Sequence, residues 1–238
     1  MTLALTLILG IEGQHSNKPL PYPPRQFSAQ IETTAHQLNA TLTYPPHKRY
    51  MTVHYDYSNR RARVDFHPMP HMPPKVFVRR YDSGFEWTVM EVYHTKECQK
   101  SLLYEAMPMP YFPDHFIYLG QTHVRGKLCD HWREDNDEES IEYFATAEDG
   151  ASPVGTPLRL TTEAVETNTP QRKTRPLMTY DFSYFKAREP SEELFKMHSS
   201  TASSIFANDS PLRLTDCERA VQEMGFPYIH LFHRYYYV

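Results

Sequence analysis

Glycine is scarce in this chain, 8 residues of 238, while proline supplies 20. So many prolines break helices and interrupt central strands, which excludes a long helical bundle and favours extended, edge and turn segments. Basic clusters are also missing. The net charge is -4 and the pI about 6.3, and no Arg/Lys run is interleaved with aromatics, so no nucleic-acid interface is expected. Catalytic signatures are absent: there is no GxSxG elbow, P-loop, HExxH pair or dinucleotide fingerprint. The apolar run at Thr2 to Ile11 is too short for a bilayer span of about 20 residues, so no transmembrane anchor is expected.

What the chain does hold is aromatic and apolar alternation. Phe27, Ala29 and Ile31 alternate with polar neighbours, as do Met51, Val53, Tyr55 and Tyr57, then Ala62, Val64 and Phe66. Period two of this kind marks half-buried strands. Ser58-Asn59-Arg60 supplies turn residues between the second and third, and Asp82-Ser83-Gly84 separates Val76–Arg79 from Phe85–Val92. Further strands are expected at Phe116–Leu119, Ile141–Ala145, Leu158–Ala164 and Leu177–Phe182. Across residues 123–132, continuous alternation places Val124, Gly126, Leu128 and Trp132 on an apolar face. His123, Arg125, Lys127 and His131 fall on a polar one.

Thr2 to Ile11 fits the hydrophobic region of a signal peptide spanning residues 1–13, although a charged leader and an Ala-x-Ala site are missing; a buried first strand or a disordered start is the alternative. Residues 14–26, with PLPYPP, read as an extended lead-in. One β domain is expected over 27–197, a polar linker over 198–214, and a short helix with an aromatic tail over 215–238. Helical signals are confined to Pro190–Met197 and to the capping box Thr215-Asp216-Cys217-Glu218, with Gly225 placed to end the second helix. The tail FPYIHLFHRYYYV either docks on the domain or forms a contact patch. Sequons at Asn39 and Asn208 agree with passage through the secretory pathway.

Three cysteines, Cys98, Cys129 and Cys217, permit one disulfide and leave one thiol. Three reduced thiols would suit only a cytosolic protein. Cys98 lacks the surroundings of a catalytic thiol and reads as structural. The 13 histidines invite a metal reading at His67 and His71 or at His123 and His131, yet neither pair offers three converging ligands, and surface histidines are expected. The acidic run from Glu134 to Glu139 reads as a solvated hairpin tip. Its clustered oxygens make Asp135, Asp137 and Glu139 a weak calcium alternative, without the glycine of an EF-hand loop. No other cofactor is expected.

A wider pattern covers Phe27 to Met197: Gly120, the block Gly126 to Trp132 with Cys129, the aromatic pair Tyr143 and Phe144, Pro157 with Leu160, and Tyr180-Asp181-Phe182. With HTKECQKSLL at His94 to Leu103 and the Arg-x-Arg-Val of the early hairpin, it resembles the ependymin-related and LolA-like group of secreted lipid-binding domains. The full ependymin set of cysteines is absent. The resemblance implies a mainly β fold, a curved antiparallel sheet forming an open half-barrel, here with short C-terminal helices. It also implies an extracellular or lysosomal setting, and calcium dependence is claimed for ependymins. It pairs Cys98 with Cys217, whereas the LCDHW block resembles the domain that precedes some papain-like cysteine proteases and leaves Cys98 to Cys129 as a rival.

The expected function is non-enzymatic binding of a hydrophobic ligand, a fatty acid or lipid, in an apolar cavity of the curved sheet. Tyr55, Trp87, Phe116 and Trp132 are the expected lining, since such pockets are mostly apolar with few polar anchors. The alternative is an extracellular interaction or adhesion module acting through protein partners, with a homodimer among its assemblies.

Overall fold

The computed structural model describes residues 18, 24–36, 47–92, 95–110, 115–146, 155–166, 173–196 and 217–221. Twelve strands form one curved, open sheet that does not close into a barrel. They are β1 Gln26–Ala35, β2 His47–Asp56, β3 Arg61–Phe66, β4 Lys75–Arg80, β5 Phe85–Val92, β6 Thr95–Leu102, β7 Ile117–Val124, β8 Lys127–Asp135, β9 Glu139–Thr146, β10 Pro157–Glu166, β11 Lys173–Lys186 and β12 Glu218–Arg219. The order across the sheet is β12-β6-β5-β4-β3-β2-β1-β11-β10-β9-β8-β7. Neighbours pair antiparallel except β12, which runs parallel to β6.

The alternation read from the sequence puts one face of these strands in the core. Phe27 lies opposite Tyr55, Ala29 opposite Val53 and Ile31 opposite Met51, all fully or nearly fully buried. Val64 and Phe77 continue that face on one side, and Phe182, Leu160, Tyr143 and Trp132 on the other. The sheet curves around them.

One connection fits that curvature. β6 is second and β7 twelfth in the order, ten spacings apart, so a flat sheet would separate them by roughly 48 Å. Residues 103–116 join them, and fourteen residues reach at most about 46–50 Å when fully extended. The described part of this strap, residues 103–110, lies on the concave face, where Met107 is buried in the core and the Tyr55 hydroxyl donates to the Pro108 carbonyl.

The convex face is polar near its centre. Asp56, Arg61, Arg63 and Asp65 are buried there, paired at 2.7 Å (Arg61 Nε to Asp56) and 2.6 Å (Arg63 Nε to Asp65). The helix expected from Pro190 onward is only a 3-10 turn, Glu192–Phe195. It lies on this ionic layer, with Arg63 Nη1 donating to the Leu194 carbonyl at 2.9 Å and Arg61 stacked over Phe195.

Other sequence expectations change. The capping box at Thr215 does not start a helix where the chain is described, because Glu218 and Arg219 are extended and paired with Gln99 and Lys100. Residues 123–132 are not one alternating strand but the β7–β8 hairpin. Its turn is Arg125-Gly126, both with positive φ, 51° and 75°, the pattern of the type I′ turn that suits a twisted hairpin. The reversal puts His123 opposite Leu128 and Tyr118 opposite Trp132, so His123 shares the side of Trp132, and His131 sits on the opposite face stacked on Phe144.

Candidate functional site

The concave face and its strap form the candidate site. On the β1–β2 side its floor is apolar, and the strap lays Met107 onto it. Tyr55 is fully buried and spends its hydroxyl on the strap backbone. Phe116, at the far end of the strap, packs against the same core.

Toward β4 and β5 the floor turns polar. Arg79 is 1% exposed, paired across the hairpin with Glu86 at 2.5 Å from Nε. Its Nη1 donates to Glu105 of the strap and approaches the Tyr81 hydroxyl at 3.4 Å. Burial works against the charge on Arg79, and Tyr81 and Glu86 more than restore it. Burial likewise pushes the Tyr81 phenol up to about 12, against the pull of Arg79, so it stays a neutral hydroxyl. The guanidinium is thus held between two carboxylates and a phenol.

Toward β7 and β8 a second polar cluster surrounds Asp130, buried beside Trp132. Lys18 Nζ reaches it at 2.6 Å, the Tyr118 hydroxyl donates at 2.9 Å and Gln121 Nε2 at 3.3 Å. Burial opposes the Asp130 charge, yet these donors together hold its carboxyl below the usual range. The Trp132 indole donates to the Lys18 carbonyl at 3.3 Å. Lys18, from the lead-in, thus covers this end of the face.

Of the four lining residues expected from sequence, the structure brings Tyr55, Phe116 and Trp132 to one cluster. Trp87 is not with them. It lies across from Val78 and Lys100 on the opposite face and packs with Val76, Val89 and the disulfide. The period-two pattern gives membership of a face but not which face curves inward, and Trp87 is out of phase with Arg79 and Thr88. Sequence reasoning passed over Arg79 and Glu86, which pair across the hairpin because each stands two residues outside the 81–84 turn. Glu105 and Met107 carried no comparable signal.

The disulfide joins Cys98 to Cys217, which excludes the Cys98–Cys129 pairing; Cys129 is a buried free thiol donating to the Thr122 carbonyl at 3.3 Å. Its thiol is pushed up by burial, the opposite of an activated nucleophile. The acidic tip is the β8–β9 turn. There Asp135 is gripped by Arg133 at 2.9 and 3.1 Å, and Asn136 Oδ1 accepts from the Glu138 and Glu139 amides. Asp135, Asp137 and Glu139 form no ligand cluster, and no group of three His, Cys, Asp or Glu side chains is arranged to hold a metal among the described residues. His67 Nε2 meets the Thr52 hydroxyl at 2.8 Å. Asn39, Asn208, the segment 1–13, the linker 198–214 and the aromatic tail lie outside the described residues. Among those described, no helix is long and apolar enough to cross a membrane.

Neither a family model nor a curated protein matches the chain. Solved structures of similar shape include an uncharacterized conserved protein from Thermus thermophilus, with TM-score 0.46 at 11% identity over 84% of this chain and 91% of that one. The Pseudomonas aeruginosa MucA/MucB complex aligns with TM-score 0.39 at 9% identity, over 72% of this chain and 55% of the other. PNGF-II aligns with TM-score 0.33 at 8% identity, over 83% and 32% respectively.

Proposed function

We propose that this protein is a secreted, non-enzymatic binding module that holds a fatty acid or lipid against the concave face of its sheet, beneath the strap. The observation that carries the reading is the cover itself. Among the described residues, an aromatic, apolar floor running from Phe77 to Trp132 is covered by strap residues 103–110 rather than by a packed second layer. Lifting a strap costs far less buried area than lifting a helix or sheet, and an acyl chain replaces apolar contact with apolar contact at about 25 cal/mol per Å² before binding costs. The Cys98–Cys217 disulfide supports an oxidising setting, and the ependymin-like and LolA-like sequence pattern agrees with the ligand class.

Native mass spectrometry of protein purified without lipid-stripping tests this directly. A retained acyl ligand is the expected result, and a ligand-free protein that also refuses added palmitate would sink the reading. Trp132→Ala should weaken palmitate binding several-fold while leaving the far-ultraviolet spectrum native. Trp87→Ala, on the opposite face, serves as the control and should bind as the parent does.

A second reading, an interaction module, is favoured by the β7 edge. This strand, IYLGQTHV, carries no Asp, Glu, Lys, Arg or Pro, and Ile117 and Leu119 are 67% and 51% exposed. Edges are ordinarily blunted by such residues, so an edge left bare by the described residues suits pairing with another strand. A dimer without lipid in the same spectrum would decide for it.

A further inference from the structure

We infer that Arg79 is the headgroup site of this module and selects ligands bearing a free carboxylate, with Glu105 and Met107 of the strap occupying that site as a built-in competitor until a fatty acid displaces them. The inference rests on the lipid-binding reading above and names its ligand class. Two carboxylates meet one buried guanidinium here, and they differ in kind. Glu86 belongs to β5, directly across from Arg79 in the ladder, and is 2% exposed. Glu105 belongs to the strap, and its side chain is 29% exposed. Only the second can leave without breaking the sheet.

What replaces it is constrained by charge. Arg79 is 1% exposed, and a buried cation stripped of a partner is costly. A ligand carboxylate restores the same count of charges and accepts the same Nη1 donor, while an ester or alcohol offers that donor only a neutral acceptor, Glu86 remaining on Nε. The apolar part follows two residues later: Met107 lies on the core beside Tyr55, whose hydroxyl holds the next strap carbonyl. Glu105 and Met107 thus present an acid group followed by a flexible apolar chain, the same sequence of chemistry as the first carbons of a fatty acid. Tyr81, a neutral phenol 3.4 Å from Arg79 Nη1, adds a further hydrogen-bonding group beside the head.

Calorimetric titration of the full chain with palmitate and with methyl palmitate, both delivered from cyclodextrin, tests the assignment. The parent should bind the acid at least about tenfold more tightly than the ester, the effect of one charge-assisted hydrogen bond in a buried site. Glu105→Gln, which removes the competing anion, should tighten palmitate about three- to tenfold. Arg79→Met combined with Glu86→Gln, which avoids stranding either charge, should erase the preference while ester binding persists. Equal binding of acid and ester by the parent would overturn the Arg79 assignment and leave the lipid reading standing; so would weaker palmitate binding by Glu105→Gln. Failure of both ligands to bind the parent would overturn the lipid reading and this inference with it.

Discussion

His54 carries the clearest pH signature of any single residue. On the convex face its Nδ1 lies 2.8 Å from the Ser28 hydroxyl. Burial lowers its pKa from 6.5 to about 4, with Asp65 pulling it up and Arg63 pressing it down. The unfolded chain therefore binds a proton that the folded chain refuses between those values, and stability rises with pH across that window. From pH 7 to pH 5 the protein should lose roughly 2 kcal/mol of unfolding free energy from this group alone. Asp56, Asp82 and Asp130, all held below the usual carboxylate range, stay ionised over that interval. Urea titrations at the two pH values measure the loss, and His54→Gln should flatten most of it; an equal loss in the variant would show that another group is responsible. The sequence drew attention instead to His67, His71, His123 and His131, because spacing shows clusters and not burial. His54 gains its environment from Ser28, Arg63 and Asp65, which lie on the two strands flanking its own.

Among the elements, β12 is the least able to stand alone. Two exposed residues pair with β6, and the Ala220 amide adds one bond to the Lys100 carbonyl at 3.0 Å. A strand so short is held by its covalent link, Cys217 to Cys98, which packs beside Val76, Val78 and Val89. The bridge spans 119 residues of sequence, and removing a disulfide that closes so long a loop costs about 2–4 kcal/mol. Cys217→Ser should show that loss in chemical denaturation, together with loss of exchange protection at the Ala220 amide; persistence of that protection would mean β12 holds by packing. Most strands were legible because alternation survives on a half-buried sheet, and the 57–60, 81–84 and 136–138 turns lie where polar residues or Gly84 interrupt it. The β7–β8 turn was not, since Arg125 fits an alternating strand as readily as a turn, and only its positive φ separates the two. Over Cys217–Val221 the helix expected from the capping box gives way to pairing with β6, a local preference too weak to resist the disulfide that draws the chain there.

At the scale of the molecule, the sheet's two ends differ in how they meet solvent. The β6 end is charged, with Lys96, Glu97 and Lys100 in the strand and Glu218-Arg219 laid along it. The β7 end is uncharged over eight residues. Its one irregularity is a bulge, where Gly120 takes a φ of 109° and the register against β8 shifts between Tyr118 and Gly120. The alternation exposed β7 as a strand; that it would be an edge followed only from the strap, which carries the chain from one side of the sheet to the other. With one edge guarded and the other left bare by the described residues, pairing through β7 would join two copies about a twofold and stop there, whereas two bare edges would propagate a fibre. No charge lies along β7 to repel its own copy, so this association should depend little on salt. Light scattering on the purified protein should then give twice the 28.0 kDa chain mass at both low and high ionic strength. Leu119→Lys, a change at an exposed site with an expected stability effect within about 0.5 kcal/mol, should return it to a monomer. A parent that is monomeric at micromolar concentration would leave the β7 edge unpaired by its own kind and remove the homodimer from the protein's assemblies.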